Sequence, residues 1–148
     1  MNIAAIQWPV FNPYQEATVE IYISGCLKKC PGCHNPELQD FNYGKPLSIE
    51  ELVKYLKERE DLFRIVSITG GEFLDQEDSN QSFIAKLNQL FPNKQFWLFT
   101  GRDKLEECNY WVFQYFDRIK LGCYKEELKQ EGFPASSNQK LLVRGKDY

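Results

Sequence analysis

Four short runs of β-branched, aliphatic and aromatic residues recur along the chain, and between them apolar positions return every three or four residues. Val19-Glu-Ile-Tyr-Ile-Ser24 has the length and composition of a strand. Arg64-Ile-Val-Ser-Ile-Thr69 is a short apolar run, too short for a helix and bounded at its end by glycines, which predicts a buried parallel strand. Gln95-Phe-Trp-Leu-Phe-Thr100 and Asp117-Arg-Ile-Lys-Leu121 predict the third and fourth strands, and Leu141-Leu-Val143 is a last apolar piece. Ser48-Ile-Glu-Glu51 is a capping box that opens a helix with Leu52, Val53, Leu56 and Leu62 on its buried stripe. A second helix is predicted over Ser79 to Leu90, with Phe83, Ile84, Leu87 and Leu90 on one face and Pro92-Asn93 beyond its end. Leu105, Cys108, Val112 and Tyr115 or Phe116 stand at helical spacing, which predicts a third helix over Lys104 to Phe116. Residues 1–18, punctuated by Pro9, Asn12 and Pro13, are expected to be irregular, with Trp8 and Phe11 packed over an end of the sheet. Pro36 to Pro46 is expected to be a surface connection.

A design repeats although no sequence does: strand, glycine-containing turn, helix. Ser24-Gly-Cys26, Thr69-Gly-Gly-Glu72, Thr100-Gly-Arg102 and Leu121-Gly-Cys123 each leave the C-terminal end of a predicted strand. In parallel α/β units these ends share one rim, where active sites collect. The fold class expected is α/β, a single domain over 1–148 with a mainly parallel sheet forming a partial (β/α) barrel. At 148 residues the chain falls short of the roughly 250 of a complete barrel.

A net charge of −3, mixed in sign along the chain, leaves no basic footprint for nucleic acid. The N-terminus lacks a basic region followed by an apolar signal core, and no apolar run approaches the roughly 18 residues of a membrane helix. Five cysteines, an odd number with three bunched together, suit a reducing compartment. A cytoplasmic protein is expected, with no membrane association.

Those three cysteines carry the chemistry. In Gly25-Cys-Leu-Lys-Lys-Cys-Pro-Gly-Cys-His-Asn35, the thiols of Cys26, Cys30 and Cys33 are separated by three and then two residues, so one loop can curl them around a single inorganic centre. Thiolate selects zinc, copper(I) or iron–sulfur clusters. Structural zinc requires four ligands, and this loop would have to borrow Cys108, Cys123 or His34. A [4Fe-4S] cube held by three thiolates keeps one iron open. Cys30-Pro-Gly-Cys33 alone could be a redox dithiol, and Cys33-His34 completes a haem-attachment string, but neither gives Cys26 a task.

Gly70-Gly71-Glu72 is the second candidate site, because glycines admit close backbone approach to a ligand and a carboxylate complements an ammonium group. Thr100-Gly101 and Lys120 are softer candidates on the same rim. Cys108 reads as a small buried apolar residue and Cys123 as a rim thiol without an assigned role. His34 is the only histidine, which leaves Ser-His-Asp catalysis without support.

Cys26-Leu-Lys-Lys-Cys-Pro-Gly-Cys-His-Asn-Pro-Glu-Leu38, Thr69-Gly-Gly-Glu72, Leu98-Phe-Thr-Gly101, Ile119-Lys-Leu-Gly-Cys-Tyr-Lys-Glu-Glu-Leu128 and Ser136-Ser-Asn-Gln139 together resemble the radical SAM glycyl-radical activases of anaerobic ribonucleoside-triphosphate reductases. The resemblance spans most of the chain after Val19. It implies metal ligation by Cys26, Cys30 and Cys33. It also implies S-adenosylmethionine contacts from Gly32, Cys33, His34, Thr69, Gly70, Gly71, Glu72 and Thr100, with no further catalytic side chain. The implied reaction is electron transfer from the reduced cluster into the sulfonium, followed by hydrogen abstraction from a glycine of the reductase by a 5′-deoxyadenosyl radical. A low-potential donor such as flavodoxin or ferredoxin would supply the electron. The chain departs from the family at Phe73, where proline is common, at Gly122-Cys123-Tyr124, where many relatives have Gly-Pro, and before the first strand, where a glycine-rich Gly-Pro-Gly-x-Arg element is missing. Two rival functions remain open: a radical SAM enzyme acting on a small molecule or peptide, and a non-enzymatic zinc-binding module.

Overall fold

Seven strands form one sheet in the order β3-β1-β2-β4-β5-β6-β7 in a computed structural model that describes residues 1–148. The strands are β1 Asn2–Phe11, β2 Ala17–Ser24, β3 Lys45–Pro46, β4 Ile65–Gly70, β5 Gln95–Phe99, β6 Arg118–Leu121 and β7 Lys140–Val143. The four central strands, β2, β4, β5 and β6, pair in parallel. β1 joins β2 antiparallel at one side, and β7 joins β6 antiparallel at the other. The fold is therefore mixed α/β with a sheet that is parallel in its middle, as the four apolar runs require.

Side-chain parity gives this sheet two different faces. Val19, Ile21 and Ile23 of β2, Val66 and Ile68 of β4, Phe96 and Leu98 of β5, and Ile119 and Leu121 of β6 are buried in one core. Two helices, α1 Ile49–Lys57 and α2 Asn80–Leu90, bring Leu52, Leu56, Phe83, Ile84 and Leu87 to the same core. At about 25 cal/mol per Å² of apolar surface removed from water, each such Leu, Ile or Phe contributes on the order of 2 kcal/mol. The opposite parity carries Glu20, Tyr22, Thr69, Phe99 and Lys120, which line a cavity instead.

The helix starts follow the sequence signals. Ser48 Oγ accepts the Glu51 backbone N–H at 3.3 Å, as a capping serine should. Leu62 is a correction: α1 ends at Lys57, so Leu62 lies beyond the helical stripe and is 65% exposed, while neighbouring Phe63 enters the core.

The N-terminal expectation is also overturned. Residues 1–18 are not irregular: Asn2–Phe11 is a ten-residue strand, with Ile6, Trp8 and Val10 half-buried and Gln7, Pro9 and Phe11 exposed. Pro9 is tolerated because β3 covers the outer edge of β1 only at Asn2 and Ile3, and because the β1–β2 register shifts between Gln7 and Val10. Trp8, a residue of β1 itself, packs edge-on to Phe63, and Phe11 is 61% exposed.

Lys104 to Phe116 is likewise not one helix. A 3-10 turn at Leu105–Glu107 ends at Cys108 in an extended conformation, and α3, Val112–Tyr115, starts afresh. The helical spacing still marked the buried positions: Cys108, Val112 and Phe116 all reach the core, joined by Trp111. The Pro36–Pro46 connection holds a 3-10 turn, Pro36–Gln39, that buries Leu38, and then β3.

Candidate functional site

The cysteine loop leaves the C-terminal end of β2, and its first residues are tied down by three backbone bonds. Gly25 N–H donates to Leu38 O at 2.8 Å, Cys26 N–H to Gln39 O at 3.3 Å, and Leu27 N–H to Asp75 Oδ2 at 2.8 Å. Gly32 has φ +72° and supplies the left-handed turn between Cys30 and Cys33, where Cys33 N–H donates to Cys30 O at 3.2 Å. Lys28 crosses to the neighbouring rim turn, donating from Nζ to Gly101 O at 2.7 Å and pairing with Asp103 at 3.2 Å.

The glycine pair after β4 fits closely against that loop. Gly71 N–H donates to Ile23 O at 2.7 Å and Glu72 N–H to Gly25 O at 2.8 Å, so the turn continues the parallel ladder past the end of β2. Gly71 has no room for a side chain: a Cβ would stand 2.5 Å from Leu38 O and 2.6 Å from Gly25 O. Gly70 takes φ +109° over the β2 backbone, a conformation open to glycine alone at low cost. Gln76 locks the two segments from below, its Nε2 donating to the carbonyls of Ser24 and Gly25 at 3.1 Å and of Glu72 at 3.2 Å.

Glu72 is 2% exposed. Thr100 Oγ1 donates to its Oε1, Gly101 N–H donates to its Oε2 at 3.1 Å, and Arg102 Nη1 stands 3.9 Å away. Burial nevertheless dominates and pushes its carboxyl up to about 7, against the opposing pull of Thr100, Gly101 and Arg102. A carboxyl poised there gains by ionising when a cation arrives. Arg102 is itself fixed by Asp75 at 2.9 Å. Lys120, on the β6 strand beside Phe99, is pushed down to about 8 by burial, while Glu72 works in the other direction.

These elements enclose one cavity of about 280 Å³ at the C-terminal ends of the parallel strands. Of the site residues expected from sequence, Cys26, Cys30, Cys33, His34, Thr69, Gly70, Gly71, Glu72 and Thr100 all line it. Gly32 does not; it is exposed and shapes the loop. His34 packs against Tyr124, with ring centroids 4.1 Å apart and planes tilted by 45°. Cys108 stays away from the cavity, buried, with its thiol pushed up to about 11 mainly by desolvation.

Sequence reasoning missed several contributors. Glu20 and Tyr22 alternate with the core residues of β2, so strand parity placed them on the cavity face; Tyr22 Oη donates to Glu20 Oε2 at 3.3 Å. Gln76 and Asp75 carried no sequence signal. Cys123, expected on the rim but without a role, lines the cavity with its sulfur bonded to Cys30.

The donor set fits an iron–sulfur cluster. Three cysteines of one loop line one cavity; Cys26 and Cys33 are free and half-buried, and Cys30 becomes a thiol once it leaves Cys123. In the disulfide form no three metal-binding side chains converge, so a metal requires that loop to rearrange. The loop itself supplies three sulfurs; the fourth sulfur lining the cavity, Cys123, comes from the turn after β6 and is the ligand that a closed zinc site would have to borrow.

Comparison with known proteins agrees with the donor chemistry. Residues 17–142 match the family model of the 4Fe-4S single cluster domain. The chain is 30% identical over 130 residues to the anaerobic ribonucleoside-triphosphate reductase-activating protein of Salmonella typhimurium, covering 80% of this chain and 83% of that one. It is 30% identical over 131 residues to the protein of the same name from Escherichia coli K12, with the same coverage. A partial likeness, 36% over 73 residues, links it to 7-carboxy-7-deazaguanine synthase of Hyperthermus butylicus, covering 49% of this chain and 30% of the synthase. With a 4Fe-4S domain matched over most of its length and relatives aligned over four-fifths of it, the chain belongs to the family of anaerobic ribonucleoside-triphosphate reductase-activating proteins.

Proposed function

We propose that this protein is a radical SAM activase that installs a glycyl radical on an anaerobic ribonucleoside-triphosphate reductase. The observation that carries the proposal is the shared cavity: the three cysteines of one loop, a buried carboxyl and a glycine turn meet at one rim. Cys26, Cys30 and Cys33 would hold the [4Fe-4S] cluster. The cluster and S-adenosylmethionine would supply a radical able to take hydrogen from a glycine α-carbon.

The protein's own residues do the rest. Glu72, buried and flanked by glycine backbone, receives the ligand's ammonium group, and Thr100 and Gly101 keep the carboxylate oriented. Gly70 and Gly71 let the ligand approach main-chain groups of the β4 turn, with Thr69 and His34 along the wall. Gln76 and the Asp75–Arg102 pair hold the loop and the turn at a fixed distance. A sheet that is parallel only in its middle and acts as a partial barrel would leave this rim open to a macromolecular substrate, whereas a closed barrel would enclose a small one. The setting is the cytoplasm, with a flavodoxin or ferredoxin as electron donor; no helix is long and apolar enough to cross a membrane.

The test is anaerobic co-incubation of reconstituted protein, S-adenosylmethionine and a reductant with the reductase, followed by electron paramagnetic resonance. A glycyl doublet on the reductase that disappears with Cys26→Ala supports the proposal. Cleavage of S-adenosylmethionine without any doublet would favour the second reading, a small-molecule radical SAM enzyme, to which the partial deazaguanine-synthase likeness points.

A further inference from the structure

We propose that Cys123 is a redox partner of the cluster loop: in the iron-free protein it closes a reversible disulfide with Cys30, and the loop accepts a cluster only after that bond is reduced. The inference rests on the cluster reading of the loop and adds a second state to it.

Cys30 and Cys123 are paired across 93 residues of sequence, with Cα atoms 6.7 Å apart. That separation lies inside the 4.4–6.8 Å range that a disulfide spans without backbone movement. β2 and β6 are parallel members of one sheet with β4 and β5 between them, so the cysteine loop that leaves β2 reaches across the shared rim to meet the turn after β6.

Cys123 is the fixed member of the pair. Gly122 N–H donates to Arg102 O at 2.8 Å, Gln139 Nε2 donates to Gly122 O at 2.9 Å, and Asn138 Nδ2 donates to Cys123 O at 2.8 Å. The tilted ring contact of His34 with Tyr124 sets the end of the cysteine loop against the same turn. Cys26 and Cys33 are left free, and Cys108 is buried away from the cavity, so the geometry selects one pairing among five cysteines.

A sulfur bonded to Cys123 has no thiolate to offer iron, so the disulfide and the three-thiolate cluster exclude one another. The oxidant is a peroxide. One thiolate attacks a peroxide oxygen, the O–O bond breaks, water leaves and a sulfenic acid forms. The second thiolate then displaces the hydroxyl as water and makes the S–S bond. Two thiols and one hydrogen peroxide become one disulfide and two waters. A dithiol reverses the step by exchange, taking up the oxidation itself. The disulfide thus stops Cys30 short of irreversible sulfinic acid while the protein has no cluster.

The experiment treats chelator-stripped, reduced protein with stoichiometric hydrogen peroxide, blocks remaining thiols by alkylation, and maps peptides by mass spectrometry. The expected product is a Cys30–Cys123 cross-link that dithiothreitol removes. Oxidised protein should take up at least tenfold less iron and sulfide than the same sample after reduction. Cys123→Ser should give no cross-link to that position and should load iron and sulfide when reduced. A dominant Cys30–Cys33 link, full cluster uptake by the oxidised form, or failure of reduced Cys123→Ser to load while remaining folded would each overturn the inference. The wild-type peptide map decides the matter if that variant does not fold. Reduced wild-type protein that never takes up iron would instead refute the cluster reading itself.

Discussion

Replacing Glu72 by Gln tests the electrostatics of the ligand socket. In the folded, ligand-free protein the carboxyl is held at about 7, against an ordinary value of 4.5, chiefly by burial. A carboxyl that is harder to ionise when folded destabilises the fold once ionised. The penalty is absent below pH 4.5, grows as pH rises towards 7, and is complete above it. At 1.36 kcal/mol per pH unit, the gap amounts to about 3 kcal/mol. The groups facing Glu72 are Arg102, Asp75, Lys120 and the thiols of Cys26 and Cys108. Glu72→Gln keeps the shape but removes the titration. It also gives up one of the two acceptor contacts to Thr100 and Gly101, a loss of about 1 kcal/mol that does not vary with pH. Urea denaturation of both proteins under reductant, from pH 5 to pH 8, is the assay. The wild type should lose about 2.5 kcal/mol relative to the variant over that range, the remainder having been lost below pH 5. Parallel stability curves would show that Glu72 ionises as easily in the fold as in water, and the argument for a poised carboxyl would fail.

Three further outcomes follow from the same geometry. S-adenosylmethionine affinity should fall up to tenfold for each pH unit below about 7, as Glu72 becomes protonated, and calorimetry across pH 6 to 8 would reveal a flat profile if Glu72 is not the ammonium partner. Gly71→Ala forces a Cβ against the Leu38 and Gly25 carbonyls and should cost about 3 kcal/mol of stability, measurable by thermal melting; an unchanged melting temperature would show that the turn has slack. Gln76→Ala strips a donor from three buried carbonyls and should lower stability by about 2 kcal/mol in urea titration, with weaker retention of iron, whereas wild-type behaviour in both would remove it from the loop's support.

The parallel centre of the sheet was legible because each of its strands is a short, largely apolar run followed by glycine, too short for a helix and apolar enough to bury at least one face. The rim followed from the same regularity, so Cys26, Glu72 and Thr100 could be placed together before any coordinates. β1 was not legible because Pro9, Asn12 and Pro13 dominate a local reading. The alternation of Ile6, Trp8 and Val10 was present, but only the lightly covered edge of β1 explains why Pro9 fits within it. The broken helix over Lys104 to Phe116 shows the converse: periodicity reported which side chains are buried, while the backbone between Cys108 and Trp111 took another course to bury them. Gln76 was illegible for a different reason. Its role is to bond carbonyls contributed by a segment some fifty residues earlier, which no local pattern encodes.

The most direct measurement is the electron paramagnetic resonance spectrum of anaerobically reconstituted, reduced protein, recorded with and without S-adenosylmethionine alongside iron and sulfide analysis. Three thiolates around a cube predict about four irons and four sulfides per chain and a spectrum that changes when the ligand occupies the remaining iron, with both lost in Cys26→Ala. A single zinc held by four side chains, or a cluster whose spectrum ignores the ligand, would contradict the account.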